Sequence, residues 1–401
     1  MRGERWLGLV GVGEDGLDGL TPAARRLVTQ AAFVVGGKRH LALAGALKAE
    51  TLAWPSQIEN ALDAIESHRG RPVCVLASGD PFFFGVGAML MRRFRPDEMI
   101  CVPAPSAFAL AASRLGWSEQ DCALISLHGR PLEAIIPHLQ PATRILALSW
   151  DDATPAKLAA LLSARGMGRS RLTVLEAMGG ARERIRAAEA QAFALDNVAA
   201  LNTIALEVVV DPGARVLPRA AGLPDEWFEH DGQITRREMR ALTISALAPR
   251  PRQTLWDVGA GAGSVAIEWR LADVSLKAVA VERNPQRAER IRRNAAALGA
   301  PQLQVVEGTA PEALAGLPAP DAVFIGGGAA GALEACWAAL RPGGRLVVNA
   351  VTVESQAALS EWSRRYGGTL TLAQFAHAEP VGRFRGFKPA MPVAQWRAQK
   401  P

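Results

Sequence analysis

Leu255-Trp256-Asp257-Val258-Gly259-Ala260-Gly261-Ala262-Gly263-Ser264 decides how the second half of this 401-residue chain folds. An apolar run that ends in an aspartate and then alternates glycine with alanine reads as a buried strand turning tightly into a helix. The helix start leaves N–H groups without partners, so the turn suits a ligand that carries acceptors. Glu282 closes the next strand, 25 positions after Asp257, where a carboxylate can accept from both hydroxyls of a ribose. The loop spells G-x-G-x-G, whereas the phosphate cradle of dinucleotide enzymes spells G-x-G-x-x-G.

Working outward, the apolar pattern predicts strands at 254–258, 278–282, 304–307, 322–325 and 345–349, with helices from Ser264 and over 285–298, 333–340 and 354–366. Such alternation is that of a doubly wound sheet. Upstream, Thr235 and Glu238 have capping-box spacing at the start of another helix. Between Asp211 and Asp231 the periodicity fails and Pro212, Gly213, Pro218 and Pro224 punctuate the chain. That predicts a linker over 213–230 joining domains at 1–212 and 231–401.

The first half opens with Trp6-Leu-Gly-Leu-Val-Gly-Val-Gly13, a buried strand, and Thr21-Pro22 then starts a helix with a cap residue and proline behind it. Further strands are expected at 73–77, 99–103, 123–127, 144–149, 172–176 and 202–210, in an α/β arrangement of mostly parallel character. One of them ends in Ala77-Ser78-Gly79-Asp80-Pro81, where the Asp-Pro step forces an extended or turning backbone before the next helix. This loop shares no motif with Asp257–Gly263, which argues against a duplicated domain.

Composition narrows the setting. Hydrophobic residues make up 49% of the chain and charged residues 21%, enough to bury a core in each of two domains. A net charge of +6 favours an anionic ligand, and both a nucleic acid and a polycarboxylate fit it. Cys74, Cys101, Cys122 and Cys336 have no metal-ligand spacing and read as buried free thiols in a reducing cytosol. The charged opening, Met1 to Arg5, leads straight into a strand, and no apolar run approaches a membrane span. A cytoplasmic protein without membrane or metal sites is the expectation. His40, His68 and His377 read as surface residues.

The glycine loop with Asp257 before it and Glu282 after it resembles the class I methyltransferases, which bind S-adenosylmethionine. The resemblance places Asp257 near the methionine end of the cofactor, Gly259, Ala260, Gly261, Ala262 and Gly263 along it, Glu282 on the ribose, and Ala310 beside the adenine after Gly308-Thr309. Together with Asp231-Gly-Gln-Ile-Thr-Arg-Arg-Glu-Met-Arg240, the stretch from Leu255 to Glu268 is similar to the decarboxylating precorrin C15-methyltransferase domains of corrin biosynthesis. That narrower resemblance implies that Thr235 reaches the cofactor.

In the first half, the Gly11-Val-Gly opening, Ser78-Gly-Asp-Pro81, Pro103-Ala-Pro-Ser106 and Ser126-Leu-His-Gly-Arg130 stand in the order of the tetrapyrrole methylase family, and most resemble its precorrin C5-methyltransferase branch. The resemblance covers about the first 210 residues. It implies two α/β subdomains with a second S-adenosylmethionine held at Gly79, Asp80, Pro81 and Ser106. Where that family commonly carries Gly-Pro-Gly-Asp, this chain reads Gly11-Val-Gly-Glu-Asp15. Phe82, Phe83 and Phe84 suit either a macrocycle pocket or the core.

The fold class implied is α/β: a tetrapyrrole methylase domain of two subdomains, then a class I Rossmann-like methyltransferase domain, with one cofactor in each. The implied activity is methylation of precorrin-6B, also called precorrin-6Y, at C5 and C15 with loss of the C12 acetate carboxyl, giving precorrin-8. No residue distinguishes a cobalt-containing substrate, which is the alternative, from a metal-free one; the fusion of both domains inclines the reading to the metal-free route. Arginine forks match carboxylates, which makes Arg236, Arg240, Arg383 and Arg385, with Arg237 and Lys388 nearby, candidate substrate anchors. Candidate proton donors are His230, Asp231, Glu268 and His128. Two other classes compete: an RNA methyltransferase, against which stands the absence of a basic run interleaved with aromatics, and a non-enzymatic sensor of cofactor or tetrapyrrole. A homo-oligomer is expected by resemblance.

Overall fold

The structure is a computed structural model that describes residues 5–326 and 330–401, so Met1 to Glu4 of the charged opening lie outside the described residues. Two compact units divide the chain, Met1–Leu132 with His138–Arg215, and Glu133–Pro137 with Val216–Pro401.

The first unit begins with β1 (Leu7–Val12), α1 (Pro22–Thr29), β2 (Phe33–Gly36), α2 (Lys38–Ala44), β3 (Glu50–Ala53), α3 (Ile58–Ser67), β4 (Val73–Ser78), α4 (Gly87–Leu90) and β5 (Met99–Val102). These strands form one parallel sheet in the order β3-β2-β4-β1-β5. Every residue of β1 is buried, as a strand covered by helices on both faces requires. Thr21 caps α1 by accepting from the Ala24 N–H at 3.3 Å, with Pro22 in the first turn, as its spacing predicts.

A second sheet follows α5 (Ala107–Leu115): β6 (Cys122–Ser126), β7 (Arg144–Leu148), α6 (Thr154–Ala164), β8 (Arg171–Glu176), β9 (Arg184–Glu189) and β10 (Asn202–Glu207), ordered β6-β7-β10-β8-β9. Only β6 and β7 run parallel here. The mostly parallel character expected of this half therefore holds in the first sheet and fails in the second. There the short 177–183 connection returns the chain as a hairpin instead of through a crossover helix.

In the second unit, α7 (Arg237–Leu247) leads to β11 (Thr254–Val258), α8 (Ser264–Ala272), β12 (Lys277–Glu282), α9 (Pro285–Ala297), β13 (Gln304–Glu307), β14 (Ala322–Ile325), α10 (Leu333–Ala339), β15 (Arg345–Ala350) and α11 (Val353–Tyr366). The expected doubly wound sheet is present and goes further than its sequence pattern. After α11 the chain adds β16 (Thr369–Ala373), leaves in a hairpin of β17 (Ala376–Val381) and β18 (Phe384–Pro389), and returns as β19 (Val393–Gln399). The last strand lies antiparallel between β15 and β16, giving β13-β12-β11-β14-β15-β19-β16. Trp256, Val281, Leu346 and Trp396 from the sheet meet Leu333, Cys336 and Leu359 of α10 and α11 in one core.

Candidate functional site

At the end of β11 the backbone turns through Gly259, Gly261 and Gly263, all at positive φ (72°, 59° and 75°), where a side chain would strain the loop. The Gly259 and Ala260 N–H groups both donate to Val281 O, at 2.9 and 3.1 Å, which ties the turn to β12. Glu282, buried at the end of β12, accepts from the N–H of Gly261 at 2.9 Å and of Asn284 at 3.0 Å. The loop after β13 joins the same place, because Gly308 N–H donates to Glu282 O at 3.1 Å and Ala310 follows two residues later. A Cβ on Gly261 would come within 2.8 Å of Gln233 O, so the segment before α7 lies directly across the glycine turn. The fold thus brings the approach to Thr235, the glycine loop, Glu282 and the 308–310 loop to the carboxyl ends of adjacent strands, where open α/β sheets bind their ligands.

What fastens that crossing segment is a buried ionic knot invisible in the local pattern. Arg240 on α7 is fully buried and donates from Nε to Glu268 at 2.6 Å and from Nη1 to Asp225 at 3.0 Å and Thr235 O at 2.5 Å; Nη2 donates to Leu223 O. Its guanidinium also lies over the Phe228 ring, 4.7 Å from the centroid. Glu268 on α8 completes the knot by accepting from the N–H groups of Gly222 and Leu223 at 2.7 and 2.8 Å. Asn294 of α9, absent from the sequence candidates, donates to Glu229 O and Ala262 O, both at 3.0 Å, clipping the segment to the glycine loop itself.

These contacts correct four expectations. Arg240 is spent inside the protein and cannot anchor a substrate carboxylate. Glu268 is its counter-ion, not a proton donor. Asp231 pairs with Arg287 at 2.9 Å and Arg290 at 3.3 Å, and the Arg287 hydrogen bond holds its carboxyl far below the usual range, so it carries no proton to give. Thr235 is not a helix cap: α7 starts at Arg237 with Arg236 in the cap position and no side-chain cap bond, because the first helical turn closes from the Arg240 N–H to Arg236 O, while Thr235 O accepts from the Arg240 guanidinium. Arg236 remains exposed, 3.5 Å from Asp225, and His230 accepts from the Gly232 N–H at 3.1 Å.

Asp257 is buried. Its Oδ2 accepts from the Ala266 N–H at 3.0 Å, while Oδ1 has no hydrogen-bond partner. Burial raises its carboxyl to about 7; the Ala266 N–H opposes the rise and the nearby Glu282 carboxylate adds to it. The folded protein therefore keeps a proton that the unfolded chain releases near pH 4, so stability falls as pH climbs through that interval and levels off above it. Asp257→Asn, which cannot ionise, is expected to exceed the parent in stability by on the order of 4 kcal/mol at about pH 8. The gap should close as the pH falls towards 4, as chemical denaturation of both proteins across the range will check.

The first unit has its own cradle at the ends of β1, β4 and β5. Gly79, at φ 53°, donates to Val12 O at 3.3 Å and accepts from the Ala104 N–H at 3.0 Å, joining three strand ends. Asp80 Oδ1 accepts from the Phe82 N–H at 2.9 Å, and the buried Pro81 accepts from the Gly87 N–H at 2.8 Å. Ser106 caps α5 through the Ala109 N–H at 3.1 Å and lies against Gly79. Beside this cradle Phe82, Phe83 and Phe84 are 48%, 37% and 44% exposed, which rules out core packing as their role. Phe83 and Phe84 meet Phe108 at 5.2 and 5.8 Å, and the Arg130 guanidinium stands 5.5 Å from the Phe84 ring.

His128 is exposed on the turn after β6. Arg383 and Arg385 are exposed on the β17–β18 hairpin, where Arg383 covers Phe384 and Arg385 donates to Ala378 O at 3.0 Å. Lys388 pairs with Glu379 at 3.1 Å. Only His377 of the three histidines read as surface residues is exposed: His68 stacks on Phe33 at 4.1 Å, and His40 is half-buried beside Ser78. Cys74 and Cys336 are buried free thiols pushed up to about 12 by burial, whereas Cys101 and Cys122 are only half-buried. No helix among the described residues is long and apolar enough to cross a membrane.

Comparison with known proteins accounts for both halves. Residues 7–194 match the tetrapyrrole (corrin/porphyrin) methylases, and residues 226–400 match the precorrin methyltransferase domain. A precorrin-6Y C(5,15)-methyltransferase (decarboxylating) of Sinorhizobium is 55% identical over 394 residues, which is 98% of this chain and 95% of that protein. Its namesake in Mycobacterium tuberculosis is 42% identical over 98% of this chain and 99% of its own length. Among solved structures, the C-terminal domain of precorrin-6Y C5,15-methyltransferase from Rhodobacter capsulatus is 46% identical, covering 46% of this chain and 100% of that one at a TM-score of 0.44. With similarity running through both cradles and nearly end to end, the chain belongs to the decarboxylating precorrin-6Y C(5,15)-methyltransferases.

Proposed function

We infer that this chain performs the reaction for which those relatives are named: S-adenosylmethionine-dependent methylation of precorrin-6Y at C5 and C15, with removal of the C12 acetate carboxyl, to give precorrin-8 in cobalamin biosynthesis. The observation that carries the reading is full-length similarity across a chain that holds two unlike glycine-bearing cradles.

Each unit binds its own cofactor. In the second unit the fit is chemical: after its two backbone bonds, each Glu282 oxygen retains a lone pair for a ribose hydroxyl. The glycines leave the inner face of the turn free of side chains, and Thr235 and Ala310 flank it. In the first unit Gly79, Asp80, Pro81 and Ser106 form the cradle. The cofactor supplies a methyl group carried on a sulfonium. The chain's own task is to align the acceptor carbon with it and to exclude water, which alone can contribute roughly 7–11 kcal/mol of barrier lowering. The enamine-like carbons of a reduced tetrapyrrole are nucleophilic already, so no nucleophile and base pair is needed.

For the substrate, Phe82–Phe84 with Arg130 offer an aromatic face and a cation beside the first cradle, suited to a flat macrocycle edged with carboxylates. Arg236 and the hairpin's Arg383 and Arg385 take the same part for the second, whose base His377 lies 4.0 Å from Glu238 on α7. His230 and His128 are left as candidate proton donors once Asp231 and Glu268 are committed elsewhere. The free thiols fit a reducing cytoplasm. The hairpin exposes Phe384 and Phe387, the latter 79% exposed, and an isolated two-stranded ribbon is marginal alone, so a second copy of this chain covers it. Sedimentation of the parent and of Phe384→Ser with Phe387→Ser tests that assembly.

Mass spectrometry of the tetrapyrrole after incubation with precorrin-6Y and S-adenosylmethionine tests the activity. Gain of two methyl groups with loss of one carbon dioxide is expected. Asp80→Ala and Asp257→Ala should each block a different methylation. An unchanged mass from folded, cofactor-bound protein would move the assignment to a cobalt-containing substrate and then to RNA.

A further inference from the structure

The second and third residues of α2, Arg39 and His40, reach from outside the cradle of the first unit into both of its loops. Arg39 Nη1 pairs with Glu14, in the loop after β1. Its Nη2 donates to Ser78 Oγ at 2.8 Å and to His40 Nε2 at 3.0 Å, and His40 Nε2 is itself 2.8 Å from Ser78 Oγ. Ser78 is the last residue of β4 and adjoins Gly79 and Asp80. The Glu14 side chain is only 9% exposed, and the second sheet closes on it: Arg182, from the β8–β9 connection, approaches to 3.9 Å, and Gly180 packs so closely that a Cβ there would lie 2.7 Å from Glu14 Cβ.

The donors and acceptors leave one arrangement. A guanidinium has no acceptor, so Nε2 of His40 receives the Arg39 proton and the imidazole is neutral with its own proton on Nδ1, which is buried without a hydrogen-bond partner. An imidazolium would set N–H against N–H. Burial, and then the Arg39 charge, hold the ring down to about 4, in keeping with that tautomer. The neutral ring is thus an acceptor that steers Arg39 into a fork between Glu14 and Ser78.

We propose that Arg39 and His40 are positioning residues of the first cofactor cradle, locking the loop after β1 to the loop after β4 so that Gly79 and Asp80 are held ready for S-adenosylmethionine. Neither touches the reacting atoms. The proposal rests on the reading that the first unit binds the cofactor and methylates C5, and the second unit supplies an internal reference on the same chain.

Two readouts on the full chain test it: calorimetric titration with S-adenosylmethionine alone, and C5 against C15 methylation followed by NMR with methyl-labelled cofactor. Arg39→Met, which removes the pairing with Glu14 together with the bonds to Ser78 and His40, is expected to weaken one of the two cofactor sites about tenfold. The KM for cofactor in C5 methylation should rise in parallel, with kcat and C15 methylation little changed. His40→Gln keeps an acceptor for Arg39 and should resemble the parent, whereas His40→Phe keeps the bulk and should behave as Arg39→Met does. Equal loss at both sites, unchanged affinity in Arg39→Met, or His40→Gln as damaging as His40→Phe would each overturn the proposal. Were the parent to bind cofactor at both sites yet leave C5 unmethylated, the assignment of C5 would fall while the titration still decided the latch.

Discussion

Arg240→Met is expected to destabilise the second unit by about 3–5 kcal/mol and to abolish C15 methylation while C5 methylation continues. The side chain is fully buried between two carboxylates and two backbone carbonyls, so its removal strands Glu268 as an uncompensated charge beneath α7. The strap from Gly222 to Thr235 would lose its fastening at Leu223, Asp225 and Thr235 together. Since Gln233 O sits against Gly261, a slack strap opens the glycine turn to water as well as lowering stability. Removing both charges, Arg240→Met with Glu268→Leu, should recover part of the stability, because a buried ion pair is replaceable by apolar packing when neither partner is left behind. It should not recover activity. Denaturant titration of the three proteins, with the ratio of C15 to C5 product, separates the two effects; C15 methylation surviving in Arg240→Met would refute the role given to the strap.

Gly11→Ala should do the reverse, reducing C5 methylation by about 100-fold or more and sparing C15, since misplacing a reacting group by about 1 Å costs that much. A Cβ on Gly11 would overlap Gly79 O and come 2.5 Å from Ala104 N. Both obstacles are backbone, fixed by the bond between them and by the pairing of β1 with β4 and β5, so neither can swing aside. Overpacking of this kind costs about 1–3 kcal/mol of stability. Product analysis beside a thermal melt would distinguish a distorted cradle from an unfolded unit. Full C5 activity in a folded variant would place the cofactor elsewhere.

The parts of this protein legible in sequence are those whose signal is local. β11 and its loop declare themselves because an apolar run, an acid and three glycines occur within nine residues, and Glu282 follows at the spacing of one crossover. Thr21-Pro22 marks its helix just as plainly. The misreadings come from partners distant along the chain. Arg240 looks like an exposed base because Glu268 lies 28 residues on, and Thr235 looks like a cap although Arg236 takes that position. His68 looks like a surface residue until Phe33 stacks on it. β9 lies on a half-exposed ribbon and the β17–β18 hairpin on a largely exposed one, both carrying charges, so their apolar alternation is too weak to announce a strand. Asn294 gives no signal at all, since its amide works only once α9 lies against the loop of residues 259–263.

The place of β19 orders the making of the second unit in time. Among the described residues β16 pairs with β19 alone, and Trp396, fully buried, comes from that same strand. While the ribosome is still short of Val393, β16 has nothing to pair with and the core beneath α10 and α11 lacks its indole. The first unit, whose strands all precede Asp211, can by then be finished. Maturation is therefore expected to be staggered, with the first cradle formed early and the second completed only in chains that have been translated through residue 399.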